Sequence, residues 1–339
     1  MLPGTIFFFL TFGFCTILHA QPNGPSCTRD SSNGSWVDGT TLWWKPETCS
    51  DMQPISSVKF SDCIRNRRFA FFGDSILRNI FHELIRLEQP ELPVQLGSGQ
   101  LRVLQGKAKN MRKVKTSGYP HYSYKLGAGV VDIYYLHSTL LVEQAALKIL
   151  NKGRYTDVVV SNSLWDMGIT FRGLAKYAGS LKRNLKAIQR VLPREHGKLV
   201  LLGLHYVNTS RCTSVACKVC NHEVIQDYIR CAQQHSASCT PGVTLVNTVQ
   251  FTKNKYATAR SPDGTHFNSE VTKIQMQHVL HALCPQHSSC KKFEHPESKC
   301  NVAFKNKIAT NIVLEARDEV SNEIGKVPCS TAFDELLSW

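Results

Sequence analysis

Three small groups of residues in this sequence have side chains suited to acyl transfer. Gly73-Asp74-Ser75 follows the apolar run Phe69-Ala70-Phe71-Phe72 and precedes a helical pattern. A serine at such a strand-to-helix turn has its hydroxyl at the carboxyl end of the strand. Its backbone N–H faces outward at a helix N-terminus, where negative charge is favoured. The plain alternative is that Ser75 only caps the helix, as serines do. Asp263-Gly264-Thr265-His266 offers a carboxylate and an imidazole three residues apart, just before the last helical pattern. That spacing lets Asp263 orient His266 and favour its imidazolium, so that His266 can act as base toward a serine from another strand. Ser-Pro-Asp-Gly is also a good β-turn sequence, which accounts for Asp263 and Gly264 and gives no reason for the histidine. Asn162 ends the run Asp157–Ser161, and an amide N–H there can donate to an oxyanion. By itself an asparagine ending a strand is an ordinary turn former.

The elements that would position these groups alternate between strand and helix. Strands are expected at Phe69–Phe72, Val130–Leu136, Asp157–Ser161, Leu199–Leu204 and Val243–Val246. Ile76, Leu77, Ile80, Leu84 and Leu87 keep helical spacing, as do Leu181, Leu185, Ile188 and Leu192, and Val271, Ile274, Val279 and Leu283. Strands separated by helix-length segments imply right-handed crossovers, and hence a parallel sheet covered on both faces. The expected fold is therefore an α/β protein, a three-layer α/β/α sandwich with a parallel sheet of about five strands. Ligands bind at the carboxyl ends of such strands, so the loops that matter begin at Gly73, His137, Asn162, His205 and Asn247.

The 339 residues suit one large domain or two modest ones; 42% are hydrophobic and 19% charged, which excludes a disordered chain and a multispanning membrane protein. Ile6–Leu18 is an apolar run followed by Leu18-His19-Ala20, the pattern of a signal peptide over residues 1–20 or, if uncleaved, of a Golgi-type anchor. Either places the rest in the secretory pathway, secreted or in the Golgi lumen; no later run is long and apolar enough to cross a bilayer, so with the leader removed no membrane span is expected in the mature chain. Of 13 cysteines, Cys15 falls in the leader and 12 remain, an even number suited to disulfides. They fall into groups of three (Cys27, Cys49, Cys63), five (Cys212, Cys217, Cys220, Cys231, Cys239) and four (Cys284, Cys290, Cys300, Cys329). If all pair within the chain, at least one bridge leaves each odd group. The cysteine-linked segment 21–63 is thus expected to be tied to a catalytic domain at 64–284, which carries a cysteine-rich insertion at 212–239 and precedes a tail at 285–339. Cys217-x-x-Cys220 has no second close pair, and in an oxidising compartment it argues for disulfides over zinc, so no metal is expected. Asn33 and Asn208 head glycosylation sequons.

Together the three blocks FAFFGDSILRN, VVVSNSLWDMG and SPDGTHFN resemble the serine, asparagine and Asp-x-x-His blocks of the SGNH (GDSL-like) hydrolase superfamily, and within it the PC-esterase group. That group includes the trichome-birefringence-like polysaccharide O-acetyltransferases and the lumenal domain of the sialic acid O-acetyltransferase. Cys27 and Gly34-Ser35-Trp36-Val37 are similar to the cysteine-linked segment of the plant members. The resemblance spans roughly residues 27–284, leaving out the insertion and the tail. It implies Ser75 as nucleophile, His266 as base, Asp263 as its orienter, and Asn162 with the Ser75 N–H as oxyanion donors. A further oxyanion glycine has no unambiguous match among Gly97, Gly99 and Gly106. Arg78, three residues after Ser75, either leans over the acyl oxygen or faces solvent.

The implied activity is glycan O-acetylation through an acetyl-serine, with no bound cofactor and an acetyl donor such as acetyl-CoA as co-substrate. A secreted carbohydrate acetylesterase is the alternative, and a non-catalytic basic glycan-binding protein the alternative of another class. The net charge of +14, from 40 Lys+Arg against 26 Asp+Glu, has a local component: residues 92–131 contain no acid and carry Lys107, Lys109, Arg112, Lys113 and Lys115. That run reads as a solvated loop or as a groove for an anionic ligand. Nucleic acid is not expected as a partner. Trp43, Trp44, Trp165, Tyr119, Tyr122 and Tyr124 are either sugar-stacking surfaces or core.

Overall fold

The computed structural model describes residues 34–37, 43–46, 52–93, 111–113, 121–162, 166, 174–194, 197–211 and 223–284. The leader, Asn33, Gly106, Lys107, Lys109, Lys115, Trp165, most of the first cysteine group and the tail lie outside them.

Nine strands occur among these residues: β1 (Gly34–Val37), β2 (Trp43–Pro46), β3 (Arg68–Gly73), β4 (Met111–Lys113), β5 (His121–Leu126), β6 (Gly129–Tyr135), β7 (Asp157–Ser161), β8 (Lys198–Leu202) and β9 (Val243–Val246). The α-helices are α1 (Ser57–Cys63), α2 (Ser75–Glu88), α3 (Thr139–Gly153), α4 (Leu174–Val191), α5 (Glu223–Ser238), α6 (Val249–Lys253), α7 (Lys255–Ala259) and α8 (Ser269–Leu283). β1 and β2 form a separate antiparallel pair, and the other seven make one sheet in the order β4-β5-β6-β3-β7-β8-β9.

The sheet has seven strands, not five, and is mixed. Its five parallel strands are the five expected from the apolar runs. The additional two, β4 and β5, are antiparallel and extend the β6 side. β5 joins β6 through the two-residue turn Gly127-Ala128, with Gly127 at φ +52°, a conformation that favours glycine. His121-Tyr122-Ser123-Tyr124 is buried throughout; His121 and Ser123 face the Asp132 carboxylate, and the Tyr124 hydroxyl accepts from Gln89 Nε2 at 2.9 Å. Tyr122 and Tyr124 are core residues, and so is Trp44, which packs against Phe251.

The parallel strands carry apolar residues at nearly every position because both faces are covered. Phe69, Phe71, Val131, Ile133, Val159 and Val200 meet the helices α2 and α8 on one face. Ala70, Phe72, Tyr134, Val158, Val160 and Leu199 meet α3, α4 and α5 on the other. The expected three layers are present.

Charged residues lock the amino edge of the sheet. Arg67 donates to both oxygens of Asp157, Arg68 to Asp132 at 2.9 Å, and the Lys198 ammonium to the carbonyl of Leu283 at 2.8 Å. Burial alone would raise the Asp132 carboxyl. The donors His121, Ser123 and Tyr155 and the charge of Arg68 outweigh it and hold the group down at about 2. At this edge Cys63, ending α1, is bridged to Cys284, following α8. The bridge leaves the first cysteine group, as its odd number requires. Ile55 adds a second tie: its N–H donates to Gln277 Oε1 at 2.7 Å, and Gln277 Nε2 donates back to its carbonyl at 3.0 Å.

Candidate active site

The parallel strands β3, β7 and β8 all end at the opposite edge, where the three candidate blocks meet. Gly73 closes β3 with no room for a side chain: a Cβ there would lie 2.8 Å from Leu77 Cβ and 2.9 Å from the Ser161 carbonyl. The next residue, Asp74, takes the cap position of α2, its carboxylate accepting from the Ile76 N–H at 2.9 Å. Ser75 is therefore the first helical residue and its hydroxyl is not spent on capping. It lies 2.7 Å from His266 Nε2.

His266 Nδ1 is 2.6 Å from Asp263 Oδ2. The other carboxylate oxygen accepts the N–H groups of Thr265 at 2.8 Å and His266 at 2.7 Å. One oxygen thus shapes the turn and the other orients the ring. Burial raises the Asp263 carboxyl, but these bonds and the His266 charge prevail and hold it well below the usual carboxylate range. An ionised Asp263 can only accept, so Nδ1 carries the hydrogen and Nε2 presents its lone pair to the Ser75 hydroxyl. Gly264 sits at φ +82°, as the turn sequence suggests.

Asp74 is nearly inaccessible, and burial pushes its carboxyl up to about 6 against the pull of the Ile76 N–H and the charges of His266 and Arg78. Arg78 is buried, so of the two readings open for it the solvent-facing one does not hold.

Asn162 follows β7 and is inaccessible to solvent; parallel pairing of Gly73 with Ser161 puts it beside the turn that carries Ser75. Its Nδ2 donates to the Leu136 carbonyl, and its own carbonyl accepts from Tyr177 Oη at 2.9 Å. One amide hydrogen is thereby used, and the other meets no acceptor among the described residues. Nearby, Asp166 accepts from the Thr139 N–H and hydroxyl, tying the segment after Asn162 to the start of α3.

Arg112 and Lys113 are exposed on β4, the outermost strand, where cations also discourage edge-to-edge pairing. The Asn208 sequon abuts the Asp263–His266 turn: the Asn208 N–H donates to the Gly264 carbonyl at 2.8 Å. Asn208 Oδ1 accepts from the N–H and hydroxyl of Ser210. Asp74, as the cap that leaves Ser75 available, and His205, buried behind the turn, were named in the sequence without a role. Among the described residues no group of three or more His, Cys, Asp or Glu is placed to hold a metal ion.

No protein-family model matches the chain. Two plant proteins share short stretches with it. Protein trichome birefringence-like 31 of Arabidopsis thaliana is 32% identical over 69 residues, 20% of this chain and 16% of that protein. Xyloglucan O-acetyltransferase 4 of Populus trichocarpa is 36% identical over 75 residues, 22% of this chain and 17% of that protein. The chain thus matches about a sixth of the length of these relatives. Among solved structures, an acetylxylan esterase from Geobacillus stearothermophilus aligns at 11% identity over 68% of this chain and 96% of that one, with a TM-score of 0.38. A lipase/acylhydrolase from Enterococcus faecalis aligns at 13% identity over 67% and 100%, with a TM-score of 0.39. In sequence, the chain resembles the trichome birefringence-like and O-acetyltransferase proteins, the company its three blocks implied.

Proposed function

We propose that this protein is a serine-dependent O-acetyl transfer enzyme acting on carbohydrate. The observation that carries the reading is the continuous line Ser75 Oγ–His266 Nε2 at 2.7 Å and His266 Nδ1–Asp263 Oδ2 at 2.6 Å, assembled from the end of β3 and the turn before α8. In this mechanism Ser75 attacks the carbonyl carbon of an acetyl ester or thioester, and His266 takes the hydroxyl proton. Asp263 holds the imidazolium that results. The oxyanion is stabilised by the Ser75 N–H at the start of α2 and the remaining Asn162 amide hydrogen. The tetrahedral intermediate expels the alcohol or thiol, which takes the proton from His266, leaving acetyl-Ser75. His266 then deprotonates a sugar hydroxyl, which attacks the acetyl-serine; the Ser75–acetyl bond breaks and the Ser75 oxygen takes the proton back from His266.

The likeness to a xyloglucan O-acetyltransferase supports a glycan as acceptor; with water in its place the same steps make an acetylesterase. No bound cofactor enters; acetyl-CoA or another acetyl donor is consumed as co-substrate. Arg78, buried one turn from Ser75, Gly106 and Trp165 are assigned to the oxyanion and substrate side. Lys107, Lys109, Arg112, Lys113 and Lys115 are assigned to an anionic ligand. The leader sends the chain into the secretory pathway, secreted or held in the Golgi lumen, with glycans on Asn33 and Asn208.

Pure protein incubated with an acetyl donor, with and without neutral and acidic glycan acceptors, tests both halves. Ser75→Ala is expected to abolish turnover, and turnover unchanged in that variant would refute the serine mechanism. Acetate release that no acceptor diverts would leave the esterase. Glycan binding with no acetyl turnover in the parent would leave the binding protein.

A further inference from the structure

Residues 203–211, which follow β8, form a platform under the Asp263–His266 turn. Residues 203–208 have no regular structure, yet Leu204, His205 and Val207 are buried. Side chains from neighbouring helices satisfy their backbone. Gln233 accepts from the Leu204 N–H at 2.9 Å, and Gln226 bonds both the N–H and the carbonyl of Val207, at 3.0 and 2.9 Å. Thr252 accepts from the Tyr206 N–H at 2.9 Å. A loop held at four backbone groups is a fixed support. It grips the turn at three: His205 Nε2 at the Thr265 carbonyl (2.7 Å), the Asn208 N–H at the Gly264 carbonyl (2.8 Å), and Arg211 at the Ser261 carbonyl.

His205 is the grip nearest to His266. A carbonyl oxygen only accepts, so His205 Nε2 carries a hydrogen. The ring also meets Phe267 edge-on, with centroids 5.3 Å apart at 74°. One buried ring therefore holds the residues on both sides of His266, while the Ser261 hydroxyl donates to the His266 carbonyl at 2.9 Å. The imidazole of His266 must reach Asp263 and Ser75 at once, and a small displacement of its backbone costs one bond or the other. We infer that His205 is a positioning residue, which sets the place of the His266 ring through the Thr265 carbonyl and Phe267 without touching Ser75. The inference rests on the serine mechanism proposed above.

His205→Phe keeps a buried ring against Phe267 and deletes the donor, whereas His205→Gln keeps a donor near the Nε2 position. The expected result for His205→Phe is a fall in kcat for acetyl-ester hydrolysis of roughly 10- to 100-fold, with KM within about twofold of the parent. His205→Gln should recover most of that loss. The proton NMR signal of the hydrogen between His266 Nδ1 and Asp263 should shift or broaden in His205→Phe and return in His205→Gln. An unchanged kcat and an unmoved signal in a folded His205→Phe would overturn the inference, as would a loss that follows the folded fraction alone and is not rescued by Gln. Where His205→Phe fails to fold, His205→Asn, whose amide falls one bond short, replaces it: Gln active with Asn impaired supports the role, and equal kcat overturns it. Turnover that survives Ser75→Ala would sink the serine mechanism instead, while the His266–Asp263 proton still reports on His205.

Discussion

The Ser269 hydroxyl donates to Glu83 Oε1 at 2.7 Å, joining the helix that starts with Ser75 to the helix that follows His266. Arg86 completes the junction, donating to Glu83 Oε2 at 2.9 Å and to the Ser269 hydroxyl at 2.8 Å. Glu83 is buried, so removing it takes the balancing carboxylate from the Arg86 guanidinium and the acceptor from the Ser269 hydroxyl. Glu83→Ala should cost about 3–5 kcal/mol of stability, the range for breaking a buried pair. Chemical denaturation monitored by circular dichroism checks this, and a change under 1 kcal/mol, about the worth of an exposed pair, would show the junction to be dispensable.

Asp263→Asn tests the ring's orientation separately from the fold. The amide can still accept from the Thr265 and His266 N–H groups but no longer holds the imidazolium by charge. Turnover should fall by roughly 10³–10⁴-fold, as when the orienting carboxylate of a serine triad is neutralised. The melting temperature should move far less than in Glu83→Ala.

Gly264→Ala should damage both properties. A Cβ there would come 2.3 Å from the Asn208 carbonyl oxygen, at a φ of +82° that side chains rarely adopt. Either the turn or the platform beneath it must yield. The expected cost is about 1–3 kcal/mol in stability, with a lower kcat from a displaced His266. Crystallography of the variant would reveal which side gives way.

Acid should destabilise the protein through buried neutral histidines. Burial lowers His137, His205 and His281 to about 4 and His278 to about 3. Each folded-state value lies below the unfolded one, so unfolding takes up protons between those values and pH 6.5. Stability is then fully present above about pH 6.5 and is lost as pH falls toward 4. Asp74 acts the other way: its raised carboxyl favours the folded state below pH 4, an advantage lost as pH climbs to 6. The sum at pH 5 is a net uptake of roughly three protons on unfolding, which calorimetry in buffers of different ionisation enthalpy measures. A net release of protons would contradict it.

Reduction of Cys63–Cys284 should be costly. The bridge spans 221 residues of sequence, and constraining so long a loop in the unfolded chain is worth about 2–5 kcal/mol. Cys63→Ser with Cys284→Ser should lower the denaturation midpoint while leaving kcat of the folded protein near the parent value, since the bridge lies at the far edge of the sheet.

The candidate groups were legible as side chains of distinctive chemistry: Ser75 and Asn162 directly follow strands, and Asp263 and His266 share a short turn before the last helix. Two strands and two long helices were less readable. β5 hides in polar letters: His121, Ser123 and the tyrosine hydroxyls read as solvent-facing, yet Ser123 and His121 serve buried Asp132. The available clue was Leu126-Gly127-Ala128-Gly129, a hairpin turn. α3 shows its stripe of Val142, Ala145, Ala146 and Leu150 behind the cap Ser138, but small alanines make that stripe faint. α5 falls in the cysteine-rich insertion, and its Gln226 and Gln233 point inward to a loop rather than outward to water. The platform had no residue signature on its receiving side. It grips the carbonyls of Ser261, Gly264 and Thr265, and every residue has a carbonyl.

The charge lock of Arg67, Arg68, Asp132 and Asp157 has a consequence for how the molecule can change. β3 runs from Arg68 to Gly73, a length of about 20 Å at the usual rise per residue. Substitutions at its first residue and just past its last are thus remote enough for their free energies to add. Heat tolerance is adjustable from one rim and turnover from the other. A lineage, or an engineer, can tune heat tolerance at the charge lock without renegotiating the chemistry at the other rim.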